Sequence, residues 1–311
     1  MEAGRIKILK DLRSNFLKDK PSTTQDYWDS LETLQAYDSV FARRILWKWQ
    51  SVLRELKALS IPIPTGPILD YGAGTGVASE SVGEFFSRDF VLFDRSPLAL
   101  TYAQKKLESL GLASSKVIHN EKSLKDLSYD TLIASHIFSE LEESDYLKVL
   151  AAAEKAKFLI LVDAGTPGVS KRLIGIREEL LKKSWFVVAP CTHSHTCPLE
   201  SSSEDWCHFF AKPPSFIFTD SHWGKIAKEL NIDLRSLPLS YLVMSRTQTH
   251  LNGEDRMLGR LKRSGSEVVF HSCGARGFCL NKKKIAKKKI KEVEKDSFRV
   301  FPLKDDPQES L

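Results

Sequence analysis

The stretch Asp70-Tyr71-Gly72-Ala73-Gly74-Thr75-Gly76, directly after the apolar run Pro67-Ile68-Leu69, constrains this chain more than any other segment. Glycine at alternate positions lets the backbone turn sharply from a strand into a helix, and lets a ligand approach where a Cβ would stand in the way. The helix is expected to begin near Val77. The pattern is GxGxG, and Val77 occupies the place where a dinucleotide fingerprint has its third glycine. Asp70 puts a carboxylate beside the turn, which suits a ligand with an ammonium group and no pyrophosphate, as in S-adenosylmethionine.

The texture that follows agrees with a nucleotide-cofactor fold. Short apolar runs at Ile68 to Tyr71, Phe90 to Asp94, Lys116 to His119, Thr131 to Ala134 and Phe158 to Asp163 read as strands. Segments of crossover length, such as Leu98 to Leu110 and Tyr146 to Lys155, lie between most of them. Strands alternating with helices imply a parallel sheet covered on both faces. Asp94 ends the second strand, 24 residues after Asp70, where it could accept hydrogen bonds from both hydroxyls of a ribose. Asp70, Gly72, Gly74, Gly76 and Asp94 are therefore the candidate cofactor residues.

Before this region, the N-terminal 60 residues look helical. Phe41, Ile45, Trp49, Val52 and Leu56 recur at helical spacing, with Arg43, Arg44, Lys48 and Arg54 left for other faces, until IPIPTGP breaks the pattern. The expected organisation is a helical segment over 1–60, a sheet domain over 61–277 with a metal-binding insert at about 190–237, and a lysine-rich tail over 278–311. No run approaches the roughly 20 apolar residues of a membrane span, and the first residues are charged where a signal peptide would be apolar. An intracellular protein is expected, cytoplasmic if bacterial, with the mitochondrial matrix disfavoured because the N-terminus shows no clear transit peptide. The oligomeric state is left open.

Five cysteines suit a reducing compartment better than a disulfide framework. Cys191 and Cys197 bracket Thr192-His193-Ser194-His195-Thr196, Cys207 follows in DWCHF, and Cys273 lies far downstream in CGARG. The spacing is wider than the knuckles of structural zinc sites. Cysteines on loops of this length can wrap an iron-sulfur cluster, and soft thiolates fit either that cluster or zinc. Cys191, Cys197, Cys207 and Cys273 form the candidate ligand set, with His193, His195 and His208 nearby. Cys279 is the rival for the fourth position; Cys273 is preferred because it ends the strand-like run Val268-Val269-Phe270.

No residue takes a catalytic assignment from sequence. His136 and Glu140 could form an acid/base pair one helical turn apart, and Pro190-Cys191 falls too late in the chain for a cytosine-5 nucleophile. The net charge of +6 is concentrated between Lys282 and Lys291, where seven lysines and no acid suit a polyanion, and Lys283, Lys287 and Lys291 would align on a helix.

In order along the chain, LDYGAGTG, LVDAGTPG, PCTHSHTCPL with DWCHF, PPSFIF with LPLSYLVMSR, and CGARG resemble the methyltransferase-like assembly factor of the mitochondrial small ribosomal subunit and its bacterial homologues. That resemblance implies a Rossmann-like class I methyltransferase fold using S-adenosylmethionine. It further implies a four-iron four-sulfur (4Fe-4S) cluster on Cys191, Cys197, Cys207 and Cys273, and a role on the ribosomal RNA of the small subunit. Asp163 departs from the glutamate expected after the fifth strand, and the lysine tail has no counterpart. The competing reading is a non-catalytic assembly factor that binds RNA and keeps the fold.

Overall fold

The computed structural model describes residues 3–17, 28–112, 116–248, 251, 255–264, 267–284 and 300–301. Eight strands build the main sheet: β1 (Ile68–Tyr71), β2 (Phe90–Phe93), β3 (Lys116–Ile118), β4 (Thr131–Ser135), β5 (Phe158–Ala164), β6 (Phe186–Ala189), β7 (Phe209–Phe210) and β8 (Pro238–Ser245). Their order is β3-β2-β1-β4-β5-β8-β6, with β7 pairing on β8. Strands β1 to β5 run parallel, and β8 enters antiparallel between β5 and β6. This is the arrangement of the Rossmann-like class I methyltransferase fold. Strands β1, β2 and β5 are buried almost throughout, as a parallel sheet covered on both faces requires.

The helices are α1 (Ala3–Phe16), α2 (Leu31–Tyr37), α3 (Arg43–Ala58), α4 (Val77–Phe85), α5 (Pro97–Ser109), α6 (Glu143–Lys155), α7 (Pro167–Lys182) and α8 (Ser221–Leu230). Local chemistry sets several of their starts. Ser96 and Thr166 cap α5 and α7 by accepting from the amides of Ala99 and Val169, each followed by a proline at the first helical position. Helices α2 and α3 are joined through a π turn over Asp38–Ala42, with no break in the helical path. The apolar stripe of α3 packs into the core under the sheet, with Ile45, Trp49, Val52 and Leu56 all buried. No helix among the described residues is long and apolar enough to cross a membrane.

A second, antiparallel sheet follows from β9 (Asp255–Ser264), β10 (Glu267–Gly274), β11 (Gly277–Lys284) and β12 (Val300–Phe301), in the order β11-β10-β9-β12. Here the structure corrects a sequence expectation. Lys282 and Lys283 lie in strand β11, opposite Val269 and Val268, so the first turn of the expected lysine helix is a strand. The backbone of this segment pairs antiparallel with β10 from Gly277 to Lys284, and that ladder overrides helical spacing. Lys287 and Lys291 lie outside the described residues.

Candidate functional site

Strand β1 delivers the chain into the glycine turn at the carboxyl end of the sheet, where open α/β folds hold their ligands. Gly72, Gly74 and Gly76 all have positive φ, at 75°, 52° and 73°. Close packing adds to that demand: a Cβ at Gly72 would sit 2.6 Å from Ile137 Cγ2. The amides of Gly72 and Ala73 donate to the Phe93 carbonyl at 2.8 and 2.9 Å, stitching the turn to β2.

The two acids play different parts. Asp94 accepts from the Gly74 amide through Oδ2 at 2.8 Å and from the Ser96 amide through Oδ1 at 2.9 Å. It thereby braces the turn against the start of α5. Asp70 is fully buried; its Oδ2 accepts from the amide and hydroxyl of Ser79 at 3.2 and 2.7 Å, while Oδ1 has no partner. Burial pushes the Asp70 carboxyl up to about 7, against the pull of the Ser79 bonds. A buried carboxylate oxygen without a donor costs about 1–3 kcal/mol. A ligand ammonium would supply that donor, so the turn fits an amino-acid-bearing cofactor such as S-adenosylmethionine.

The N-terminal helices wall this site. Trp28 lies 4.0 Å from where a Cβ on Gly74 would stand and meets Tyr37 edge-on at 4.9 Å. Arg43 forks onto Glu80 of α4 at 2.7 and 2.5 Å, and Lys106 of α5 reaches both Glu80 and Asp38, at 2.8 and 2.5 Å. Sequence spacing assigned Lys48 to an outer face; the structure buries it, at 8% exposure. Its position three residues after Ile45 and four before Val52 is the signal that places it on the inner face.

Lys48 Nζ stands 3.3 Å from His136 Nε2, and His136 Nδ1 faces Asp163 Oδ1 at 3.9 Å. Asp163 is held in turn by the amides of Phe138 at 2.8 Å and Ala164 at 2.6 Å. Trp49 Nε1 donates to Ser135 Oγ at 2.8 Å beside them. Burial drives Lys48 down to about 7, lowers His136 well below the usual imidazole value, and raises Asp163 to about 6. The pairing of His136 with Glu140 on one helix is corrected: after β4 the chain makes a turn, with His136 at φ 55° and the Ile137 carbonyl accepting from the Glu140 amide. His136 points to Lys48 and Asp163 instead.

On the far side of β8, distant parts of the chain bring four cysteines together. Cys191 follows β6, Cys197 and Cys207 lie in the next loop, and Cys273 is in β10. Arg177 of α7, 2% exposed, donates to the carbonyls of His193 at 3.0 Å and His195 at 2.8 Å, fixing the first loop. The Cys197 amide donates to Glu178 Oε1 at 3.1 Å. The Cys207 amide donates to Ser170 Oγ at 3.0 Å, and its carbonyl accepts from Ser240 Oγ at 2.7 Å. Cys273 Sγ lies 4.0 Å from His193 Nε2.

The thiols sense one another. Burial, then the charges of Cys191, Cys273 and Cys197, raises Cys207 far above a free thiol; burial and neighbouring cysteines push Cys197 up to about 11 and Cys273 up to about 12. Such a group holds thiolates only beside compensating positive charge. Cys279 is exposed in β11, opposite Ser272, and enters none of these interactions. Among the described residues no three His, Cys, Asp or Glu side chains close upon a single metal ion.

The sequence itself carries a family signature across both regions. A family model described as mitochondrial small ribosomal subunit Rsm22 matches residues 36–293. The chain belongs to the Rsm22 family. The match spans the glycine turn, the Lys48–His136–Asp163 line and all four clustered cysteines, so these are parts of one Rsm22-type unit. No curated protein matches the sequence significantly.

Among solved structures, the plantazolicin methyltransferase BpumL in complex with SAH is 13% identical, covering 77% of this chain and 99% of its own, with a TM-score of 0.44. Magnesium protoporphyrin IX methyltransferase from Synechocystis PCC 6803 with bound SAH is 16% identical, over 78% of this chain and 100% of its own, at 0.42. A SAM dependent methyltransferase from Aquifex aeolicus is 16% identical, over 69% and 97%, at 0.37. Likenesses of this depth transfer neither ligand nor activity.

Proposed function

We propose that this Rsm22-family protein binds S-adenosylmethionine at the glycine turn and acts, as a methyltransferase, on the ribosomal RNA of the small subunit. The observation that carries the cofactor reading is Asp70 Oδ1, a buried carboxylate oxygen without a donor at the mouth of a turn whose glycines cannot take a side chain. The ammonium of the cofactor would meet Asp70, and its ribose hydroxyls would meet the carboxylate of Asp94 at the end of β2. S-adenosylmethionine supplies an electrophilic methyl group on a sulfonium. The protein's own part is to orient that methyl group and exclude water, through Trp28 ahead of α2 and Tyr37 at its end.

Cys191, Cys197, Cys207 and Cys273 are proposed to hold a four-iron four-sulfur cluster. One feature supports the grouping: the thiols come from well-separated segments of the chain yet influence one another's charge. An iron-sulfur centre presents its iron corners several ångströms apart, which suits such a set. Two buried guanidiniums, Arg177 and Arg256, lie close enough to feel the Cys191 charge and would offset the thiolates.

RNA contact is proposed for the ribbon of β9 to β11, where Arg260, Lys262, Arg263 and Lys282 are exposed, with the Arg260 guanidinium 4.0 Å over the Phe210 ring. Calorimetric titration of S-adenosylmethionine into anaerobically purified protein, with and without isolated small ribosomal subunits, tests the whole reading. Binding of both is expected. A folded protein that binds the subunits and gives no heat with the cofactor favours an assembly factor that has kept the fold without the chemistry.

A further inference from the structure

Asp163, His136 and Lys48 line up from β5, across the end of β4, to α3, and their position relative to the glycine turn gives the line a meaning. Strands β1 and β4 run parallel with Tyr71 beside Ala134, one residue before Gly72 and two before His136. Ile137, its neighbour, packs against Gly72 closely enough to forbid a side chain there. The end of β4 therefore borders the same crevice that receives the cofactor. Asp163 is fully buried and Lys48 nearly so, while the His136 side chain keeps 19% exposure. Of the three, His136 is the least buried.

We propose that His136 accepts the proton of an N–H or O–H nucleophile as that atom is methylated, with Asp163 and Lys48 as the residues that position it. The assignment builds on the methyl-transfer reading above. In the step, the lone pair of the substrate nitrogen or oxygen forms the new bond to the methyl carbon. The carbon–sulfur bond breaks and its electron pair stays on sulfur, neutralising the sulfonium. The substrate proton passes to His136 Nε2, the position that the uncharged amine of Lys48 vacates, while Asp163 faces Nδ1 and stabilises the imidazolium.

The surroundings suit this role. Burial keeps His136 neutral at neutral pH, and the positive charge of Lys48 adds to that effect. Lys48 is driven toward its uncharged form by burial and by Arg44, against Asp163. Tyr37 from α2 is the other titratable group over this corner, and burial, then Glu140, Asp38 and Asp163, keeps it protonated. Protonated Lys48 would occupy the Nε2 lone pair, so transfer should rise with pH as Lys48 loses its proton. A protic nucleophile, such as an exocyclic amine or a ribose hydroxyl, is the substrate class that needs such an acceptor.

The test is single-turnover transfer of tritiated methyl from S-adenosylmethionine to isolated small ribosomal subunits between pH 6 and 9, with cofactor affinity measured in parallel. His136→Asn is the informative variant, because asparagine tolerates the left-handed backbone that His136 adopts at φ 55°. It should bind the cofactor normally and transfer at least about a hundredfold more slowly. Lys48→Met should flatten the rising limb of the pH profile, and Asp163→Asn should lower the rate at every pH. Wild-type transfer with an unaltered rate in His136→Asn, or an unaltered limb in Lys48→Met, overturns the assignment. Wild-type protein that binds cofactor and subunits and transfers nothing overturns the methyl-transfer reading itself, and this assignment with it.

Discussion

Arg43 and Glu80 face each other as a two-pronged pair, at 2.7 and 2.5 Å, between the N-terminal helices and the helix that springs from the glycine turn. Burial alone would raise the Glu80 carboxyl; Arg43 and Lys106 reverse that and hold it low. The pair thus fastens the wall of the site to its floor, and the π turn over Asp38–Ala42 lets Asp38 join the same network.

Arg43→Met leaves Glu80 buried with Lys106 as its remaining partner, and should lower stability by about 3 kcal/mol, in the range for breaking one side of a buried pair. Because the folded-state Glu80 pKa is depressed, its stabilisation is present above the ordinary glutamate range and is lost as pH falls through the lowered value. Urea unfolding at pH 7 and pH 4 should show a smaller loss for the variant at the lower pH. Equal losses at both would remove the pair from the account.

The glycine turn and the first five strands were legible in the sequence because each depends on local chemistry: glycine at positive φ, and short apolar runs bounded by turn residues. What was not legible depends on tertiary contact. Lys48 reads as solvated until α3 is seen to press its inner face against the end of β4. Glu140 separates from His136 because the segment after β4 turns where a helix was assumed. Lys283 follows helical spacing with Lys287 and Lys291 in sequence, yet β10 offers it a strand ladder.

Asp70 gives a proton-linked prediction. Its folded pKa of about 7 lies above the free value, so its contribution to stability is present at low pH and is lost as pH rises through 7. A bound ammonium favours the ionised form, so cofactor binding at pH 6.5 should release protons. Calorimetry in two buffers of different ionisation enthalpy measures the release. Asp70→Asn should abolish it and weaken binding at least about tenfold, the cost of one charge-assisted hydrogen bond.

The cysteine set separates by residue. Cys207→Ser should lose iron, sulfide and visible absorbance after anaerobic purification, whereas Cys279→Ser should keep all three. Iron retained in Cys207→Ser, or lost in Cys279→Ser, would redraw the ligand set.

For the basic ribbon, affinity for small-subunit RNA should fall steeply with salt. Replacing Arg260, Lys262 and Arg263 together by alanine should reduce the slope of log affinity against log salt by about one for each phosphate contact removed. An unchanged slope by filter binding would move the RNA to another face.

A crystal structure of anaerobically prepared protein with S-adenosylmethionine, recorded at the iron absorption edge, tests both proposed centres at once. The predicted result is an anomalous iron peak enclosed by Cys191, Cys197, Cys207 and Cys273, and a cofactor whose ammonium meets Asp70 Oδ1. Iron-free thiols turned away from one another, or a glycine turn that leaves the cofactor in solution, would contradict it.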